Sequence, residues 1–308
     1  MNLSQFDKQF RPVVRAAFLF CVLLLLFEIA SKLSQATSAF FSSLDFPAEV
    51  RGLLLAVLLF SILNVPLILA ERFSPGTTNR RNYLQGATYW LTHIVITYFW
   101  SKIAIATIAK LQITPLFTWS IKDNSSNGLI IVAALLLPIL VYDFFYYWFH
   151  RAQHRFAFLW RFHEVHHSIV HMNCINSYHH VLEEVLRFPC MTIPIALLLK
   201  IEAPQIIILS AFIATWGQYI HSDTSIHLGK LGSIVGDNAH HRIHHSIAEQ
   251  HYDKNFAAFF PVWDRLFGTY HRPVRGRLIP VGLSDKSPPK TAIDYLLMPF
   301  RRDCKNVS

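Results

Sequence analysis

The sequence predicts an all-α, polytopic integral membrane protein with four transmembrane helices, a membrane hairpin and a cytoplasmic helical cap rich in histidine. Three features point there. The 308 residues are 53% hydrophobic and only 15% charged, with a mean hydropathy of +0.33. A soluble domain usually carries about 25% charge, so this chain lacks the charge to cover a surface in water and belongs in a bilayer. Long apolar runs recur through the first half, and 17 histidines cluster beyond the last of them.

The apolar runs cover roughly 13–31, 52–70, 86–109 and 128–149. Each approaches the roughly 20 residues that a bilayer-crossing helix needs. Lys8, Arg11 and Arg15 ahead of the first run resemble the start of a signal peptide. The run is long for that role and further spans follow, so a retained first span is expected, with cleavage as the alternative. Two shorter runs, 188–200 and 204–220, meet at Ala203-Pro204. They read as a hairpin that enters and leaves one face of the membrane, or as two half-buried helices.

Orientation follows from lysine and arginine in the short connections. Lys8, Arg11 and Arg15 precede the first span, Arg72, Arg80 and Arg81 lie between the second and third, and Arg151, Arg155 and Arg161 follow the fourth. The opposite connections hold Lys32 and Arg51, then Lys110 and Lys122. The expectation is a cytoplasmic N-terminus, four crossings, and a cytoplasmic location for everything after residue 149. The net charge of +9 reads as topology plus attraction to anionic lipid headgroups. No interleaved aromatic and basic surface argues for nucleic acid.

Cys21, Cys174, Cys190 and Cys304 form no CxxC pair, which favours reduced thiols. The chain divides into an N-terminal transmembrane region, 1–127, a histidine-bearing region, 128–272, and a tail, 273–308. In the tail a loop (VGLSDKSPPK) leads to Ile293–Phe300, a segment suited to lying on the membrane.

The histidines fall at ligand spacing. His150 and His154 follow the fourth span at i, i+4, on one face if the helix continues. His163, His166 and His167 repeat at i, i+3, i+4, and so do His241, His244 and His245, with His240 beside them. Eight convergent imidazoles are too many for one ion, which takes four ligands in a structural zinc site and three plus water in a catalytic one. They suggest two ions side by side, although imidazole alone does not choose among zinc, copper, iron and nickel. His93, His171, His227, His251 and His271 stand alone and read as ordinary surface or core residues.

The stretch His163-Glu164-Val165-His166-His167 admits two readings. As HExxH it is a zinc-protease pattern in which Glu164 activates water. As HxxHH all three histidines bind metal and Glu164 is incidental. The first reading leaves HRAQH (150–154) and HHRIHH (240–245) unexplained, whereas the second uses both. A histidine-rich metal-transport loop would be a flexible, low-complexity tract, but these boxes are mixed with Trp, Phe, Leu and Ile. An intramembrane zinc metalloprotease and a non-catalytic metal transporter remain the alternatives.

The series from Asp143 through His150 and His154, then LWRFHEVHHS, HHRIHHS and KNFAAFFPVWDRLFGTY (254–270), closely resembles the fatty acid hydroxylase/sterol desaturase superfamily over roughly residues 130–272. That resemblance implies a catalytic domain at 128–272 and a membrane-bound, O2-dependent oxidoreductase that hydroxylates or desaturates a lipid. It implies two irons, with His150, His154, His163, His166, His167, His241, His244 and His245 as ligands. His180, where HVLE stands in place of the family's HPxE, and His221 are the further ligands it suggests. Electrons would come from a separate carrier of ferredoxin or cytochrome b5 type with its reductase. Sterols, fatty acyl chains, sphingoid bases, ornithine-type lipids and carotenoids all suit as substrates.

Several other polar residues have two readings each. Asp143 lies about 10 Å below His150 along one helix face, placed to bond a liganding imidazole or to pair with an arginine. Glu183 and Glu184 can orient His179 or His180, or form a solvated face. Asn255 and Trp263-Asp264-Arg265 suit packing and capping roles. The readings of HEVHH separate on Glu164→Gln, which removes a general base but no histidine. Substantial oxygenase activity is expected to survive; an inactive protein of normal metal content would support the hydrolytic reading.

Overall fold

The computed structural model describes residues 47–74, 80–119, 128–201, 205–273, 279–284 and 288–301. The apolar run at 13–31 lies outside the described residues. Helix α1, Ala48–Arg72, carries the second run and α2, Arg80–Lys110, the third. The two pack together. Val50, Leu54, Val65 and Leu69 of α1 and Leu91, Phe99, Ile103 and Ile105 of α2 point outward. An apolar exterior of this kind suits lipid rather than water. By length and composition, one helical stretch among the described residues, Gly86–Lys110, is apolar enough to cross a membrane.

Strand β1, Phe117–Trp119, precedes α3, Gly128–Arg155, which holds the fourth run and continues for almost two turns beyond it. That continuation places His150 and His154 one turn apart on one helix. The helix breaks at Phe156, whose backbone is extended, and α4, Ala157–His167, packs back against α3 with its last six residues buried.

The stretch expected to be the first hairpin arm is helical from Glu183 to Leu198 but not uniformly so. Helices α5, Glu183–Arg187, and α6, Ile193–Leu198, are joined by a π-turn at Phe188–Thr192, and the chain then becomes extended as strand β2, Leu199–Ile201. Pro189 and Pro194, which cannot donate helical hydrogen bonds, accompany the π-turn. β2 pairs in parallel with β1, matching Phe117 to Leu199 and Trp119 to Ile201. Among the described residues this two-stranded ladder is the one sheet, and an isolated bridge joins Ser246 to Val281. The second arm is a regular helix, α7, Gln205–His221.

Beyond it lie α8, Asn238–His244, capped by the Asp237 side chain, then α9, Val262–Leu266, and α10, Ala292–Leu297, which begins with a Thr291–Asp294 capping box. In the Ile293–Phe300 segment Tyr295 and Met298 are buried, while Ile293, Leu297 and Phe300 are exposed. Tyr89 of α2 stacks on Tyr295 and meets the edge of Tyr178, each at 4.8 Å between centroids. This triad fastens the tail helix to the cap. A second core joins α3 and α7 through Tyr146, Phe149, Trp216, Tyr219 and Phe259.

Glu71, at the end of α1, is the polar join between the helices and the cap. Its buried carboxylate accepts the amides of Cys174 and Asp223, both at 2.8 Å, the Cys174 thiol at 3.3 Å, and the Tyr83 hydroxyl. Glu71→Ala strands two amide donors, each costing about 1–3 kcal/mol when buried and unpaired. The expected result is a clear fall in the thermal midpoint of the detergent-solubilised protein, with Glu71→Gln, which keeps one acceptor oxygen, falling between wild type and Glu71→Ala.

Candidate metal centre

Four helices deliver histidines to one buried volume. α3 supplies His150 and His154. α4 supplies His163, His166 and His167. α7 ends on His221, α8 carries His241 and His244, and His245 closes that helix as its C-cap. Their ring nitrogens form two groups, each with its atoms within 4.8 Å of one another. His150, His154, His163, His167 and His244 make the first, and His166, His221, His241 and His245 the second. The groups touch: His167 stacks on His245 at 4.5 Å. Spacing i, i+3, i+4 thus has an unforeseen consequence, since His166 faces one group while His163 and His167 face the other.

The tautomers follow from the backbone. A carbonyl oxygen can only accept, so an imidazole Nδ1 within hydrogen-bond distance of one carries the proton, and its Nε2 presents a lone pair. His150 donates to Phe256 O at 2.8 Å, His244 to Lys254 O at 2.9 Å, His166 to Tyr178 O at 2.9 Å and His221 to Gly217 O at 2.6 Å. Yet Nε2 of His166 and Nε2 of His221 lie 3.0 Å apart, with no proton left to share. His241 Nε2 is 2.9 Å from His221 Nε2, and His245 Nε2 is 3.1 Å from both His166 Nε2 and His241 Nε2. Facing lone pairs repel unless a cation lies between them. Imidazole ligands about 2.0–2.1 Å from a metal stand roughly 3 Å apart, which is the observed spacing. In the first group, buried His150 Nε2 and His244 Nε2 have no hydrogen-bond partner among the described residues. The donor set therefore fits metal.

Burial, reinforced by neighbouring imidazoles, holds His150, His163, His166, His167, His241, His244 and His245 well below the usual histidine pKa. They are neutral at pH 7, the form that ligates a metal. His154 is also lowered by burial, opposed by Asp253 at 3.3 Å. It is the least buried of the nine and marks the outer edge of the site.

Of the ten histidines singled out from the sequence, nine fall into the two groups. His180 does not. Its Nδ1 accepts the Leu182 amide at 3.2 Å, so the proton is on Nε2, which donates to Leu296 O at 3.1 Å. Both nitrogens are thus engaged, Nδ1 in a local turn and Nε2 in fastening α10. The neighbouring His179 turns inward instead, stacked on His166 at 4.0 Å, with Nδ1 2.9 Å from a Glu183 carboxylate oxygen that also lies 3.5 Å from His163 Nδ1. Glu183 is wholly buried and forms a third potential ligand group with these two histidines. The i, i+4 spacing from His179 to Glu183 was the available signal, but the adjacent pair 179–180 left it ambiguous. Glu184 pairs with Arg187 at 3.0 Å. Asp143 bonds neither imidazole nor arginine; it accepts backbone amides of residues 258–260. Glu164 belongs to neither histidine group.

Residues 135–269 match the fatty acid hydroxylase family. The chain is 32% identical over 168 residues to an alkylglycerol monooxygenase of Danio rerio, covering 53% of this chain and 36% of that protein. It is 30% identical over 169 residues to the ornithine lipid hydroxylase OlsE of Rhizobium tropici, covering 54% and 50%. A very-long-chain aldehyde decarbonylase of Oryza sativa subsp. indica is 27% identical over 214 residues, covering 61% and 31%. The aligned region thus spans half or less of these relatives. No solved structure matches the chain.

The buried neutral imidazoles set an acid limit. Below about pH 6.5 the unfolded chain takes up protons that the folded one refuses, and each such histidine then costs about 1.4 kcal/mol per pH unit. The metal-stripped protein should melt at a constant temperature above about pH 7 and at steeply lower temperatures below about pH 6. Thermal unfolding across that range checks this; a flat profile to pH 5 would contradict neutral burial.

Proposed function

We propose, with residues 135–269 belonging to the fatty acid hydroxylase family, that this chain is a membrane-bound di-iron hydroxylase that uses O2 to oxidise a lipid. The single observation that carries the reading is the pair of convergent histidine groups, with His166 and His221 facing each other through Nε2 atoms that carry no proton. His150, His154, His163, His167 and His244 would hold one iron, and His166, His221, His241 and His245 the other. When bound, the irons supply the reduction of O2 to an oxidant able to attack an unactivated C–H bond. In balance, the lipid C–H, O2, two electrons and two protons yield an alcohol and water.

The chain's own residues do the rest. Backbone carbonyls of Tyr178, Gly217, Lys254 and Phe256 fix four imidazoles in the Nδ1-protonated form and aim their Nε2 atoms inward. The nine histidines are neutral, so the site stays more positive than a carboxylate-rich one. Buried Tyr146 packs against His150, and buried Phe256 against His150, His154 and His244, where they keep out water and stray protons. Apolar outward faces of α1 and α2 support a bilayer location, in which the expected topology is four spans, a membrane hairpin and a cytoplasmic cap. A lipid chain would then reach the histidines from the bilayer side. Two relatives are named as a monooxygenase and a hydroxylase, which supports hydroxylation over desaturation. The electrons are assigned to a ferredoxin- or cytochrome b5-type carrier with its reductase.

The hydrolytic alternative uses His163, Glu164 and His167. Those two histidines sit with three others, more nitrogen than one zinc with an open position accepts.

The test is metal analysis with isotope labelling. The purified full chain in lipid nanodiscs should contain two irons and, given reductant and 18O2, should add one labelled oxygen to a lipid detected by mass spectrometry. His150→Ala and His245→Ala, one from each group, should each lose at least about 100-fold, the upper range for changes to outer-shell partners, while remaining in the membrane. One zinc per chain, or turnover without O2, would refute the proposal.

A further inference from the structure

Residues 254–260 run between α8 and α9 as irregular backbone. A buried loop must still satisfy every amide, and here two carboxylates do so. Asp264 accepts the amides of Phe256 at 2.7 Å and Ala257 at 3.1 Å. Asp143, rising from α3, accepts those of Ala258 at 2.9 Å, Phe259 at 3.0 Å and Phe260 at 2.7 Å. Five consecutive N–H groups thus converge on two side chains, both 0% exposed.

The peptide planes give this clamp its meaning. The Ala257 N–H and the Phe256 carbonyl belong to one planar, trans peptide unit. Asp264 holds the N–H side, and His150 Nδ1 donates to the carbonyl side at 2.8 Å. The Lys254–Asn255 unit, two peptides earlier, repeats the arrangement: the Asn255 N–H donates to Thr269 O at 2.9 Å, while its other end, Lys254 O, accepts His244 Nδ1 at 2.9 Å. Thr269 is in turn held by Asp264, its hydroxyl donating to the carboxylate at 2.8 Å and its amide to the Asp264 carbonyl at 2.8 Å. Asn255, at φ +58°, allows the turn, and its side-chain amide donates to His240 O and His271 O.

The geometry points to Asp264 as a positioning residue that orients and polarises His150 and His244, and thereby one of the two metal positions, through intervening peptide groups, with Asp143 anchoring the rest of the loop. A peptide whose N–H donates to a carboxylate is a stronger carbonyl acceptor, and a stronger acceptor at Nδ1 makes the imidazole more basic at Nε2. The influence is one-sided. His150 and His244 both belong to the first histidine group, while in the second, His166 and His221 are held by Tyr178 O and Gly217 O, which Asp264 does not touch. Asp264 was legible in the sequence only as part of a packed Trp-Asp-Arg segment; its amide partners lie up to eight residues away, and His240, with Nε2 3.4 Å from its carboxylate, lies further still.

The inference rests on the two-iron reading, and its test keeps the two apart. Iron-57-loaded wild type in nanodiscs is compared with Asp264→Asn, which keeps the shape but loses the charge and one acceptor, and with Thr269→Val, a milder change should Asp264→Asn fail to fold. Mössbauer spectra and release of iron to a chelator are recorded. One iron of the variant should show altered parameters and a roughly 10–100-fold weaker hold, with the other iron as in wild type. Wild type lacking two irons would overturn the di-iron reading, and this inference with it. Wild type with two irons, but variants in which both or neither change, would overturn the positioning role alone.

Discussion

The close approach of nine buried imidazoles is the constraint on which the rest of the structure depends. Neutral rings can be buried at modest cost, but four of these have their Nδ1 protons committed to backbone carbonyls. Their remaining nitrogens are acceptors facing other acceptors, as His166 and His221 do at 3.0 Å. Such a core is poised for cations, and without them it is held only by the frame around it. That frame must therefore be rigid, apolar and independently stable.

The frame solves this with buried carboxylates that serve backbone rather than metal. Glu71 gathers the amides of Cys174 and Asp223, fixing the strand of chain before His179 and the one after His221. Asp143 and Asp264 gather the loop behind His150 and His244. Glu183 is placed against the imidazoles of His179 and His163 instead, and Asp264, besides its amides, lies 3.4 Å from His240 Nε2. An anionic acceptor of several N–H groups makes stronger hydrogen bonds than a neutral one, and in a dry interior this lets irregular loops hold a position as firmly as a helix would. The carboxylates stay outside the groups of five and four histidines, so the groups themselves remain all-imidazole.

The same economy of charge marks the exterior. With 15% charged residues, the chain concentrates its acids and bases around the cap and leaves the outer faces of α1 and α2 apolar. The tail helix α10 belongs to both environments. Tyr295 anchors it on Tyr89 and Tyr178, His180 holds the Leu296 carbonyl, and Ile293, Leu297 and Phe300 look outward. A histidine that resembles a metal ligand in sequence thus does structural work at the edge of the site.

Composition and periodicity were enough to determine the helical class, the apolar runs, and which histidines share a helix face, because those depend on local chain geometry: eight of the nine grouped histidines stand in boxes with i, i+3 or i+4 spacing. His221, the ninth, entered only through resemblance and its place at the end of an apolar run. Tertiary structure alone decided which face each histidine serves. It sent His166 to one group and His163 and His167 to the other, chose His179 over His180, put a π-turn into the 188–200 run and ended it in a strand, and gave Asp143 and Asp264 their shared loop. The physical reason is that these outcomes rest on hydrogen bonds between residues as much as 117 positions apart. A carboxylate's partners, and a tautomer set by a distant carbonyl, leave no periodic trace in the sequence.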